Sequence, residues 1–319
     1  MGDSEAEFSP NGEPELEVQA VPEVAYKYIQ IDVTDNVARL TMNRPPYNVL
    51  TIDMMGELSR AIDALRDQRG VRVILLRASP ECKAFSAGVA LEDSSPDRAF
   101  QTLEAMQEVF RSILETSKPL VTVVEGPAIG GGCELAALGD IIVATPKARF
   151  AQPEIRLGVF PPLAAVILPH VIGYKRSLEM IFTGEPLSAQ DAQRLGLVSR
   201  VVPEEQLEEE VNNVLAKITD QSAPVLEMAK KVLYDTIGLP LSGAMKKSVS
   251  IYLNQLMDLD DAQEGVRAAI EKRKPIWKNR YDRHSPRRCS GQACLLQYRL
   301  GRLYPHVLGK VRARVGHGG

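Results

Sequence analysis

The stretch that decides the fold is "EGPAIGGGCELAALGD", residues 125–140. It follows "PLVTVV" (119–124), a β-branched, apolar run with the texture of a buried strand, and it passes into "CELAAL", which reads as a helix. Three consecutive glycines, Gly130, Gly131 and Gly132, therefore sit at a strand-to-helix turn. The spacing lacks both a GxGxxG pattern with a later ribose-binding acid and a GxxxxGK[ST] pattern with its lysine and hydroxyl. Dinucleotide and P-loop readings fail on those required residues. What remains is a helix N-terminus with open backbone N–H groups, and glycines that let something approach that backbone closely. A ligand site and a tight packing turn both satisfy that description.

Working outward, "YKYIQIDVTDNVARLTMNRP" (26–45) alternates like two short strands joined at Thr34–Asn36. "TIDMMGELSRAIDALRDQRG" (51–70) carries Met54, Met55, Leu58, Ile62 and Leu65 at helical spacing up to Gly70. "VRVILLRAS" (71–79) reads as a buried strand, "RAFQTLEAMQEVFRSILETS" (98–117) as an amphipathic helix and "DIIVATP" (140–146) as another strand. Strand and helix alternate with short connections, which predicts an α/β protein. Beyond Ser188 the texture turns helical, with capping-box patterns at Ser188/Asp191 and Asp261/Glu264. The expected organisation is a disordered acidic segment over 1–23, a core over 24–219, a helical region over 220–280 and a basic, disordered tail over 281–319.

The composition is that of an ordinary globular protein, 45% hydrophobic and 25% charged, with a net charge of −3. No run of about 18 apolar residues marks a membrane span. The acidic start is unlike a secretory signal or a transit peptide, so the expected location is cytoplasmic. Cys82, Cys133, Cys289 and Cys294 lack paired CxxC spacing, so neither a disulfide framework nor a zinc site is expected. His170 is the single histidine between residues 24 and 280, which leaves carboxylates as the general bases of that region.

Glu134, in the first turn after the glycines, suits the helix dipole as an ordinary capping charge. Glu154, in "AQPEIRLGVFPP" (151–162), reads by itself as a strand-end acid before two prolines that have no N–H. "AFSAGVALED" (84–93) is a second small-residue turn after a strand. Taken together, "NRPPYNVL", "AFSAGV", "GPAIGGGCELA", "QPEIRLGV" and "AQDAQRLGLVSRVVP" resemble, in order and spacing, the enoyl-CoA hydratase/isomerase (crotonase) superfamily over about residues 26 to 280.

The resemblance implies a crotonase-like spiral of ββα turns in two sheets, a helical C-terminal trimerisation region, and homotrimers or dimers of trimers. It implies that the backbone N–H groups of Val89 and Gly131 form an oxyanion hole for a thioester carbonyl. Glu134 would activate water and Glu154 would exchange a proton with the α-carbon. Coenzyme A, as part of the substrate, would lie near Pro46, Val49 and Ala87, with Lys272 at a phosphate. No metal or redox cofactor is implied. Ala90 and the Pro161–Pro162–Leu163–Ala164–Ala165 stretch depart from the common pattern. Proline at 162 removes an N–H expected near the catalytic water, and Phe160, Leu163 and Val166 make that wall apolar. This stretch looks most like cyclohexa-1,5-diene-1-carbonyl-CoA hydratases of aromatic degradation. The expected activity is therefore a hydro-lyase acting on an alicyclic dienoyl-CoA. The alternatives are a straight-chain enoyl-CoA hydratase or isomerase of fatty acid metabolism, and an RNA-binding protein of the same fold. The RNA reading is weakened because Asp63 and Asp67 interrupt Arg60, Arg66 and Arg69.

Overall fold

A computed structural model describes residues 25–95 and 97–280; the acidic segment 1–23 and the basic tail 281–319 lie outside the described residues. The chain divides between Glu227 and Met228 into two compact units. In the first, β1 (Ile29–Thr34) and β2 (Val37–Met42) form an antiparallel hairpin. Its turn uses Asp35 and Asn36 at positive φ, the two-residue loop whose twist matches that of the strands. There follow α1 (Ile52–Arg66), β3 (Val73–Ala78), α2 (Ala99–Glu115), β4 (Leu120–Val124), β5 (Pro127–Ile129), α3 (Gly131–Ala137), β6 (Ile141–Ala144) and β7 (Arg149–Ala151). Then come α4 (Ala164–Val171), α5 (Gly173–Thr183), β8 (Leu187–Ser188), α6 (Ala189–Arg194), β9 (Arg200–Val201) and α7 (Leu207–Thr219), and α8 (Ala223–Thr236) spans the division.

The strands form a six-stranded sheet in the order β1-β2-β3-β4-β6-β9 and a three-stranded sheet in the order β5-β7-β8. The winding is visible in the connections: β4 joins the large sheet and β5 the small one, then β6 the large and β7 the small. Isolated bridges Leu50–Val89 and Ser86–Ala128 continue the small sheet toward earlier turns of the chain. Ser86, Ala128, Phe150 and Leu187 thus form one row across four successive segments.

Both faces of the large sheet are covered, as its apolar runs require. Ile74 and Leu76 face a core with Met54, Leu58 and Ile62 of α1 and Val109 and Ile113 of α2. The alternate residues Val73 and Leu75, with Val121, Val123 and Val143, pack on Leu207, Val211, Val214 and Leu215 of α7. That split follows from side chains pointing to opposite faces along a strand.

Side-chain caps mark the starts of α1 and α6. The Thr51 side chain accepts from Met54 N at the start of α1, and α1 ends at Arg66 rather than running to Gly70. Ser188 Oγ accepts from Asp191 N (3.1 Å), as its pattern predicts. The Asp261/Glu264 capping box does not form. In the second unit, with α9 (Leu241–Ile251), a π-helical turn (Tyr252–Leu256) and α10 (Asp260–Glu271), the N-cap of α10 is Leu259, without a side-chain cap. Asp261 instead accepts from the N–H groups of Lys278 (2.7 Å) and Asn279 (3.1 Å), and Glu264 pairs with Arg273. The returning strap 272–280 offers these acids partners that a local pattern cannot reveal. Within this unit Asp235 is buried and paired with Lys231 and Lys247.

Candidate active site

Two loops meet where the small sheet passes into α3. At the Leu50–Val89 bridge, Leu50 N donates to Gly88 O (2.8 Å) and Ala90 N donates to Leu50 O (3.0 Å). A parallel bridge of this kind uses the residues flanking Val89 and turns Val89's own N–H to the other side. Further along, Ile129 N donates to Ser86 O (2.9 Å) and Gly130 N donates to Ala151 O (2.8 Å). Gly131 then opens α3, where the first N–H groups have no intrahelical acceptor. Among the described residues neither Val89 N–H nor Gly131 N–H has a hydrogen-bond acceptor.

The glycines leave room for close neighbours. A Cβ on Gly131 would lie 2.6 Å from Met106 Cε and 3.0 Å from Val89 Cγ2. Gly130 has φ 53° and ψ −126°, a region that side chains disfavour, and any Cβ there would run into the Glu154 carboxylate.

That contact brings the two acids to one place. Glu134 projects from the first turn of α3 and is 5% exposed. Its Oε1 accepts from Ala164 N (2.7 Å), so Glu134 caps α4, whose N-cap Leu163 supplies no side-chain acceptor. Burial pushes the Glu134 carboxyl up to about 7; the Ala164 and Leu163 N–H groups oppose the rise and the neighbouring Glu154 charge adds to it. Glu154 sits in a 3₁₀ turn, Pro153–Leu157, directly after β7. Burial raises its carboxyl also, opposed by its own backbone N–H. Its Oε2 is buried and has no hydrogen-bond partner among the described residues. Two carboxyls in one apolar place, at least one titrating near neutrality, are suited to give and take protons.

The family model described as Enoyl-CoA hydratase/isomerase matches residues 32–280. The chain belongs to the enoyl-CoA hydratase/isomerase family. It is 36% identical over 250 residues to the rat (Rattus norvegicus) enoyl-CoA hydratase domain-containing protein 3, mitochondrial, covering 77% of this chain and 82% of that protein. The cyclohexa-1,5-dienecarbonyl-CoA hydratase of Thauera aromatica is more distant, 30% identical over 245 residues, covering 77% and 94%. Among solved structures, the enoyl-CoA hydratase of Mycobacterium smegmatis superposes with a TM-score of 0.74 at 34% identity, covering 78% of this chain and 98% of that one. The architecture is thus the crotonase fold, with helices at its C-terminal end.

Against the family's pattern the remaining expected residues fall into two groups. Segments 46–50 and 83–90 run together, with Lys83 N donating to Pro46 O (2.7 Å) and Ala87 N donating to Tyr47 O (2.9 Å), and Arg44 Nη1 holds the first segment from within by donating to Val49 O (3.2 Å). Pro46 and Ala87 are exposed beside this track and Val49 is half-buried. Lys272 belongs to the second unit, where it ends α10 at φ 55° with its side chain exposed.

The double proline has a clear local effect. Pro161 and Pro162 donate nothing, and Ala164 N, two residues on, donates to Glu134. The apolar wall is only partly as expected. Phe160 (65%) and Val166 (60%) are exposed, whereas Leu163 packs against the core. Arg66, part of the suspected basic stripe, is engaged by Asp63 and Glu115, which removes its charge from any polyanion surface. Asn48, Ser86 and Met106 were missed by sequence reasoning. The first two stand inside quoted motifs, but nothing in a linear pattern marks a buried hydroxyl or amide as an organiser.

Proposed function

We propose that this chain is an acyl-CoA hydratase that adds water across a C=C bond conjugated to a CoA thioester. The observation that carries the reading is buried Glu134 next to half-buried Glu154, whose Oε2 is buried and unpartnered among the described residues, beside two free backbone N–H groups. In this mechanism Glu134 takes a proton from water as the water oxygen bonds to the β-carbon. The C=C electrons move toward the thioester, and the charge that develops on its carbonyl oxygen is held by the N–H groups of Val89 and Gly131. Glu154 then delivers a proton to the α-carbon. The step is redox-neutral and needs no metal or redox cofactor; coenzyme A is the substrate's own handle, running past Pro46, Val49 and Ala87. Preorganised donors of this kind are worth about 3–4 kcal/mol each at the transition state.

For the acyl group, the higher identity to the rat protein and the fit to the Mycobacterium smegmatis structure support a general enoyl-CoA substrate. A second reading, an alicyclic dienoyl-CoA, is favoured by Pro161–Pro162 and the exposed Phe160 and Val166, and by the name of the Thauera relative. The assembly that accompanies both readings is a homotrimer or a dimer of trimers. Among the described residues no helix is long and apolar enough to cross a membrane. We place the protein in the cytoplasm, although the rat relative is named as mitochondrial.

The purified full chain, offered crotonyl-CoA and cyclohexa-1,5-diene-1-carbonyl-CoA in turn, decides the acyl group. With the better substrate, Glu154→Gln should fold normally and lose at least about a hundredfold in kcat. Turnover by Glu154→Gln near the wild-type rate would refute the mechanism.

A further inference from the structure

One buried residue ties together both loops that carry the free N–H groups. Ser86 is 0% exposed. Its hydroxyl donates to Asn48 O (2.7 Å) and accepts from Gly88 N (3.1 Å), the peptide just before Val89. On its other side Ser86 N donates to Pro127 O (3.2 Å) and Ser86 O accepts from Ile129 N (2.9 Å), which ties it to the strand that leads into the glycines. Gly132 closes the space above it: a Cβ there would lie 2.5 Å from Ser86 O and 2.7 Å from Ser86 Cβ.

Asn48 anchors the far end of this chain of bonds. It is fully buried at φ 47°, accepts from Arg44 N (2.7 Å) and donates from Nδ2 to Phe85 O (3.1 Å). The segment 85–88 is therefore held at both ends, through Phe85 O by the Asn48 amide and through Gly88 N by the Ser86 hydroxyl. Gly88 itself, at φ 90°, has no side chain to restrict its rotation. Without an acceptor at Ser86 Oγ its buried N–H would be orphaned and the Ala87–Gly88 peptide would lose its fixed orientation, so the next peptide, which carries Val89 N–H and is held at Gly88 O by Leu50 N (2.8 Å), would lose its support on the other side.

We propose that Ser86 is a positioning residue for the oxyanion hole. Its hydroxyl, bonded in series between Asn48 and Gly88, sets the Val89 N–H relative to the Gly131 N–H on the loop that packs on it. The role needs a group that donates and accepts at once, which serine does, cysteine does weakly and alanine does not at all. This proposal rests on the hydratase reading, because it presupposes that the two N–H groups receive the thioester oxygen.

The test uses the full chain and an aryl-conjugated enoyl-CoA thioester, whose absorbance moves to longer wavelength when its carbonyl is polarised. Wild type should bind it with a red shift. Ser86→Ala should bind it within about threefold of wild type, lose most of the shift, and show kcat lowered about tenfold or more with KM little changed, as for a displaced donor. Ser86→Cys should fall between the two; it conserves the packing and is read alone if the alanine variant fails to fold. Wild-type shift and kcat in the folded variants would overturn the role of Ser86 while leaving the oxyanion hole standing. A wild-type protein that binds the probe with no shift would overturn the oxyanion-hole reading, and this proposal with it.

Discussion

Replacing Glu134 by glutamine should stabilise the folded protein while stopping its chemistry, and the stabilisation should grow with pH. An ordinary glutamate ionises near 4.5, and burial holds Glu134 protonated up to about 7. In the unfolded chain the group is free to ionise at its ordinary value. Between those pH values the folded state keeps a proton that the unfolded state has released. Stability from this group is therefore fully present below about pH 4.5, drains away as pH rises, and is gone above about pH 7. The gap corresponds to on the order of 3 kcal/mol at 1.36 kcal/mol per pK unit. Glutamine stays neutral throughout, and its Oε1 can keep the bond from Ala164 N now made at 2.7 Å. All other titrating groups are common to both proteins and largely cancel in the difference. Urea unfolding of the two proteins at matched concentration, from pH 4.5 to pH 8, should show the variant gaining about 3 kcal/mol over wild type across that range. At pH 8, where wild-type Glu134 is ionised and can act as the base, hydration should fall at least about a hundredfold in the variant, and the gap should narrow as pH falls below about 7. A stability difference that stays flat across the range would refute the inference that this carboxyl is held protonated by burial.

Two further outcomes follow from packing. Gly132→Ala puts a methyl 2.5 Å from Ser86 O, and the backbone can relieve it only by parting the two loops. It should cost about 1–3 kcal/mol by denaturant melt and depress kcat more than KM. Lys118 is a buried ammonium whose Nζ donates to Gln68 O (2.9 Å) and Val71 O (2.6 Å), closing the end of α1 onto the start of β3. Lys118→Ala should lose about 1–3 kcal/mol in the same melt, because both carbonyls lose a donor, with kcat unchanged in the folded fraction.

Legibility in the sequence tracks the length of each pattern. The runs that became β3 and β4 and the periodic faces of α1 and α2 could be read directly, because each repeats its period several times. The strands β5, β7, β8 and β9 span two or three residues each, too few to display a period of two. They exist because neighbours from distant turns supply their hydrogen bonds. The Ser188 cap was legible because donor and acceptor lie three residues apart, and the Asp261 box misled because its partners arrive from residues 278 and 279.

The candidate site divides along the same line. By itself the sequence determined which chemical groups are available: three glycines at a strand-to-helix turn, two glutamates, a serine in a small-residue loop and two prolines without N–H groups. Only the tertiary structure decided that Glu154 lies against Gly130, that Glu134 caps α4 by accepting from Ala164 N beyond the prolines, and that Ser86 links both loops. Burial and hydrogen bonding are set by segments far apart in the chain. A carboxyl's ordinary ionisation belongs to its residue type, and its displacement toward neutrality belongs to the apolar space that those segments close around it.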